Sequence, residues 1–175
     1  MNQPLPKRSF APVVDPRVRL LVLGSLPGEL SLAHGRYYAN PQNQFWRLMG
    51  GVIGRDLSGM DYPARLQTLL RHRIGLWDVV AEAHREGSLD GNIRAHTGND
   101  LVALAGELPA LEAIAFNGGT AARLGMRQLG VHAERYAVFR LPSSSPAYTR
   151  PFAEKLAAWE ALREVLADSG SAGKT

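Results

Sequence analysis

The sequence predicts an α/β fold built on a parallel sheet with helices on both faces, and three observations carry that prediction. Short apolar runs that suit buried strands ("RLLVLGS", "IGLWDVV", "LEAIAFNGG" and "YAVFRLPSSSPA") alternate with stretches of helical periodicity. Three of these runs end in glycine, serine, asparagine or proline, residues that let a chain turn sharply at a strand end. The chain has 175 residues, 45 % of them hydrophobic, enough for one domain with a sizeable core.

The first 17 residues are punctuated by proline and read as an N-terminal arm, followed by a single domain over 18–168 and a tail over 169–175. The arm has basic residues but no apolar stretch of the kind a signal peptide needs. "RLLVLGS" then reads as the first core strand. "PGELSLAHGRYYANPQN", rich in glycine, proline and asparagine, is a connection of a length that is usually functional inside a compact domain. "QFWRLMGGVIG" returns to helical spacing, with Phe45, Leu48, Met49 and Val52 on one side and Trp46 in the core. "DYPARLQTLLRHR" is an amphipathic helix with Leu66, Leu69 and Leu70 as its stripe.

"IGLWDVV" reads as a strand running into a short helix, and "NDLVALAGEL" as a helix with Asn99 at its N-cap. "LEAIAFNGG" and "TAARLGMRQLG" form a strand and helix pair. "YAVFRLPSSSPA" is a strand ending in a stiff loop. In "RPFAEKLAAWEALREVLADSG", Phe152, Leu156, Trp159, Leu162 and Leu166 share a helical face, which Gly170 ends. In sheets of this type ligands gather at the carboxyl ends of the strands. That edge would collect "GSLPG", "FNGG" and "LPSSSPA".

There is no cysteine, so disulfides, cysteine-ligated zinc and iron–sulfur clusters are excluded, and a reducing cytoplasmic home is expected. No apolar stretch approaches the ~20 residues of a membrane span. The net charge of +4 tilts the partner toward a polyanion. The five histidines show no metal-like spacing, and no metal or other cofactor is expected.

Several short motifs stand out. Gly24–Gly28 places small residues directly after a strand, where backbone can approach a ligand closely. It is neither a Walker A loop nor a dinucleotide fingerprint nor a nucleophile elbow. "YYANPQNQFW" sets aromatic rings beside amides, a combination suited to a planar heterocycle such as a nucleobase. Ser143, Ser144 and Ser145 lie between Pro142 and Pro146, where hydroxyls suit phosphate and the prolines limit the entropy lost on binding. Asn117 could cap the following helix or present a donor and an acceptor to a base edge. In "HREGSLDGNI", Glu86 and Asp90 are candidate acids on what reads as a solvated loop.

In this order, "GSLPG", "YYANPQNQFW", "GLWDVV", "GSLDGNI", "FNG" and "LPSSSPA" resemble the uracil-DNA glycosylase superfamily, above all its hypoxanthine-DNA (deoxyinosine) branch. The resemblance runs from about residue 18 to 166, nearly the whole domain. It implies a three-layer α/β/α sandwich with a central four-stranded parallel sheet, and a cofactor-free enzyme that flips a damaged base out of DNA and hydrolyses its N-glycosidic bond. It assigns base and water handling to Gly24, Ser25, Leu26 and their turn, stacking on the base to Tyr38, and hydrogen bonding of the base to Asn117. Asn43 matches an asparagine shared with the mismatch-specific branch. The DNA-penetrating loop falls on Leu141–Tyr148: Ser143, Ser144 and Ser145 on flanking phosphates, with Pro146, and Ala147 or Tyr148 filling the gap in the stack.

One position departs from the pattern. Relatives carry asparagine or aspartate third in the turn, where it faces the hydrolytic water. Here it is Leu26, which can neither orient nor activate water, and Asn40 is the catalytic candidate instead. No lysine falls in these motifs, so hydrolysis without strand cleavage is expected. The expected partner is DNA containing a damaged base, with no membrane and a monomeric protein. A uracil or mixed-lesion glycosylase, a silent binder of nucleic acid or abasic sites, and a small-molecule nucleosidase are the alternative readings.

Overall fold

A computed structural model describes residues 5–85 and 87–171. At its centre is a four-stranded parallel sheet in the order β3-β2-β6-β7, with β2 at Leu20–Gly24, β3 at Ile74–Asp78, β6 at Ala113–Asn117 and β7 at Ala137–Leu141. In β2 and β6 every residue is buried, so neither strand shows a polar face. This is the signature of a sheet covered on both sides.

Alternate residues of each strand serve opposite layers. Leu20, Val22, Ile74, Leu76, Ala113 and Ala115 pack with Phe45, Leu48, Met49, Leu69, Trp159 and Leu162. These come from α2 (Phe45–Ile53), α3 (Tyr62–Arg71), α6 (Phe152–Trp159) and the 3₁₀ turn Glu160–Leu162. Leu21, Leu23, Ile114 and Phe116 face the other way, onto Leu101 and Leu104 of α4 (Leu101–Gly106) and Ala121, Leu124 and Leu129 of α5 (Gly119–Leu129). The three-layer α/β/α sandwich with its parallel four-stranded sheet is therefore the observed architecture.

The α5 layer sits close. A Cβ on Gly125 would lie 2.2 Å from Cε1 of the fully buried Phe116. Gly125→Ala is expected to lower stability, because overpacking costs about 1–3 kcal/mol and outweighs a helix-propensity gain of at most ~1 kcal/mol. Urea unfolding of the variant checks this.

Four local expectations are corrected. "VV" after β3 does not start a helix. The N–H groups of Val79 and Val80 donate to Gly24 O and Ser25 O at 2.8 and 2.9 Å, holding the chain extended into β4 (Val80–His84). That strand joins β1 (Lys7–Arg8) and β5 (Arg94–Gly98) in a separate antiparallel sheet, β1-β4-β5. The connection after β2 contains α1 (Glu29–His34), too short to show periodicity.

The N-cap of α4 is Asp100, whose carboxylate accepts from Ala103 N at 3.0 Å, while Asn99 donates to Asp78 O at 2.7 Å and to Ser9 Oγ at 3.0 Å. The last helix is interrupted by the 3₁₀ turn and continues as α7 (Arg163–Ser171) past Gly170. Ahead of β2, Val13 forms an antiparallel bridge with Leu76 at the edge of the parallel sheet. No helix among the described residues is long and apolar enough to cross a membrane.

Candidate active site

The carboxyl ends of all four parallel strands open into one cleft of about 600 Å³. Gly24, Ser25, Leu26 and the rest of the turn follow β2, Asp78 ends β3, Asn117 ends β6, and Ser143–Tyr148 follow β7. Tyr38, Asn40 and Asn43 reach in from the segment before α2, and Ser88–Gly91 from the excursion between β4 and β5. Every site residue anticipated from the sequence lines this cleft: Asn40; Gly24, Ser25, Leu26, Tyr38, Asn43 and Asn117; and Ser143, Ser144, Ser145, Pro146, Ala147 and Tyr148. They differ in what remains free to meet a ligand.

Of the aromatic stretch, only Tyr38 faces the cleft. Tyr37 is buried with its hydroxyl donating to Ala11 O, and Trp46 is buried with its indole N–H on Tyr38 O at 3.2 Å. Tyr38 adopts φ +53°, a conformation rare for a residue with a side chain. Its ring stacks on Phe45, centroids 3.9 Å apart and planes at 16°. One face is thus occupied, and the half-buried ring borders the cleft with what remains of its surface.

The amides are unequal. Asn40 Oδ1 accepts from Gln42 N at 2.9 Å, closing an Asx turn, and its Nδ2 has no partner among the described residues. The group that Asn40 leaves wholly free is therefore a donor, while Oδ1 keeps one lone pair beside its bond to Gln42 N. Asn43 Oδ1 is held by Phe45 N at 3.0 Å, at the start of α2. Asn117 is fully engaged: Nδ2 donates to Ser144 Oγ at 2.9 Å and to Tyr38 Oη at 3.3 Å, and Oδ1 accepts from Ser144 N at 2.9 Å. It caps no helix by its side chain, since α5 starts after Gly118 without one. It pins the serine loop to the sheet instead.

Ser144, only 1 % exposed, is the other half of that clamp and is not presented to solvent as a phosphate ligand. The loop is fastened at further points. Gln44 N donates to Ser144 O at 3.0 Å, Trp159 Nε1 to Pro142 O at 2.9 Å, and Lys155 Nζ to Ser145 O at 3.3 Å. Gly118, at φ +100°, would place a Cβ 3.0 Å from that of Ser143, so only glycine fits beneath the loop. Ser143 and Ser145 are half-buried, while Ala147 and Tyr148 project outward.

Three ionisable groups here were not legible as a cluster. Arg85 is buried and donates to Gly87 O at 3.0 Å, to Leu26 O at 3.3 Å and to Pro27 O. Its guanidinium also lies 3.7 Å from Asp90 Oδ1, which accepts from Ser25 Oγ at 2.6 Å. Burial raises the Asp90 carboxyl above its ordinary range, against the opposing pull of the Ser25 hydrogen bond and Arg85. "HREGSLDGNI", read as solvated charge, is thus partly a buried brace for the β2 turn. Glu86 lies outside the described residues.

Asp78 is 4 % exposed, and its Oδ2 is buried with no hydrogen-bond partner among the described residues. Burial, and secondarily the nearby Asp90 charge, push its pKa up to about 7, with Arg85 opposing. A charged residue ending the apolar run "IGLWD" was the available signal.

A family model described as the uracil DNA glycosylase superfamily matches residues 11–163. A protein of Methanosarcina acetivorans named hypoxanthine DNA glycosylase is 42 % identical over 158 residues, covering 89 % of this chain and 97 % of that one. Its namesake in Methanosarcina barkeri is 39 % identical over 153 residues, covering 87 % and 95 %. The solution NMR structure of a uracil DNA glycosylase candidate from Methanosarcina acetivorans superposes with a TM-score of 0.81 at 41 % identity, covering 92 % of this chain and 99 % of that one.

Proposed function

The chain belongs to the uracil DNA glycosylase superfamily and is a DNA glycosylase; from that premise we propose that it excises hypoxanthine from DNA. Water replaces the base at C1′, and an abasic site remains in an unbroken strand. The observation that carries this reading is the free Nδ2 of Asn40, in the same cleft as the Tyr38 ring, beside a turn whose third residue is the apolar Leu26. The names of the two Methanosarcina relatives support the choice of base.

The geometry suits the chemistry. Departure of a base builds negative charge on its ring, and fixed donors in a water-poor cavity stabilise that charge best. Asn40 supplies such a donor without reorganising, because Pro41 and the Asx turn hold it in place. Tyr38 offers one ring face to the flipped base; stacking of this kind contributes about 1–3 kcal/mol per base. The braced serine loop meets the DNA with Ser143 and Ser145 toward phosphates, and Ala147 or Tyr148 takes the place the base vacates. Asn117 and Ser144 act through the loop they clamp.

No lysine lines the cleft among the described residues, which accords with a hydrolytic rather than a Schiff-base route. Lys155 bonds Ser145 O and sits 5.3 Å from the Tyr148 ring centroid, behind the loop.

Duplexes containing a single deoxyinosine or deoxyuridine, incubated with the protein and then with alkali, test the proposal. Cleavage at deoxyinosine after alkali, and none before it, is the expected result. Release confined to deoxyuridine, or tight binding with no release, would refute it.

A further inference from the structure

Asp78 lines the cleft and has no task in the reaction as proposed so far. Asp78 ends β3 directly beside the end of β2, in register with Gly24. Gly24 keeps this corner open: a Cβ there would lie 2.6 Å from Asp78 Oδ1 and 2.8 Å from Tyr38 Oη. The carboxyl and the phenol thus border the same small space at the sheet end, while Asn40, half-buried, borders the cleft from a loop.

Burying a carboxyl without a partner is costly unless a ligand completes it or the group is neutral. The buried cation that acts on Asp78 does not complete it, since Arg85 is committed to three carbonyl oxygens and to Asp90. Asp78 Oδ2 is thus left unsatisfied just inside the wall of the cleft that the residue lines.

An ionised Asp78 would oppose the reaction, because it would repel the negative charge that develops on the departing base. A neutral carboxyl does the reverse. We propose that Asp78 hydrogen-bonds the flipped base through its neutral carboxyl and hands it a proton as the C1′–N9 bond breaks. The inference rests on the hypoxanthine reading.

The C1′–N9 electron pair leaves with the base, and the Asp78 O–H proton passes to a ring nitrogen, so that the base departs neutral. The water oxygen bonds C1′, and the proton it releases restores the acid through solvent. Burial supports the neutral form, with a pKa near 7. The titratable groups facing Asp78 are Tyr37 and Tyr38 from the loop before α2, and Arg85 and Asp90 from the β4–β5 excursion.

Single-turnover rates on the deoxyinosine duplex test this across about pH 6–8 with the wild-type protein, Asp78→Asn and Asp90→Asn. The wild-type rate should fall above about pH 7, approaching tenfold per unit. Asp78→Asn should be at least about 100-fold slower at about pH 6, the scale of general acid catalysis, should lack that limb, and should bind the duplex within about threefold of wild type. Asp90→Asn should keep the limb whatever its absolute rate. A flat wild-type profile, which requires no variant to fold, would overturn the proposal. So would Asp78→Asn within about threefold of the wild-type rate. A wild type that releases uracil but never hypoxanthine would refute the substrate reading instead, and the same profiles on the deoxyuridine duplex would then decide the role of Asp78.

Discussion

Asn40→Ala is expected to slow base release in single turnover by about 10²–10³-fold, the loss seen when one fixed donor to a developing anion is removed. Duplex affinity should change little, because the phosphate contacts proposed for Ser143 and Ser145 are untouched. The replacement also removes the Asx turn to Gln42 N, so some stability, about 1 kcal/mol, is lost with it. Asn40→Asp separates the two effects. It keeps an oxygen for Gln42 N but replaces the donor with a second acceptor. If Nδ2 stabilises the leaving base, the aspartate variant will be at least as impaired as alanine. Activity at or above wild type would mean that the position activates water, and the donor role would have to be given up.

Arg85→Met is expected to lower stability by about 2–4 kcal/mol, because a buried acceptor that loses its donor costs about 1–3 kcal/mol and Asp90, 35 % exposed, is partly screened by water. Methionine fills comparable space but leaves the carbonyls of Leu26, Pro27 and Gly87 without their donor and Asp90 without its cation. Because those carbonyls belong to the β2 turn, base release should fall as well. Adding Asp90→Asn should recover part of the stability, since the stranded charge is then gone, and the two substitutions should be non-additive. Urea unfolding of the two single variants and the double variant gives the coupling directly; strict additivity would argue against the brace.

Much of the frame was legible in the sequence because it is written in local periodicity. β2 and β6 are runs of apolar residues bounded by turn formers, and α2 buries Phe45, Leu48, Met49 and Val52 at helical spacing. Where a segment is short or two patterns overlap, local signals failed. The six residues of α1 complete barely more than a turn, and the extension of β3 into β4 is held by bonds from Val79 and Val80 to the β2 turn, which no local pattern records. Asp100 rather than Asn99 caps α4 because Asn99 is claimed by partners 21 and 90 residues away.

The candidate site divides along the same line. Residue type and chain order sufficed to gather Asn40, Tyr38, Asn117 and the serine loop as chemistry suited to a flipped base, since each sits at a strand end or in a glycine- and proline-rich turn that periodicity makes visible. Which of their polar atoms stay available had to come from packing in three dimensions. Asn117 and Ser144, 27 residues apart, satisfy one another, Arg85 and Leu26 meet across 59, and Asp78 is left with an oxygen that nothing meets. Hydrogen-bond capacity is limited at every atom, and contacts remote in sequence determine how it is spent.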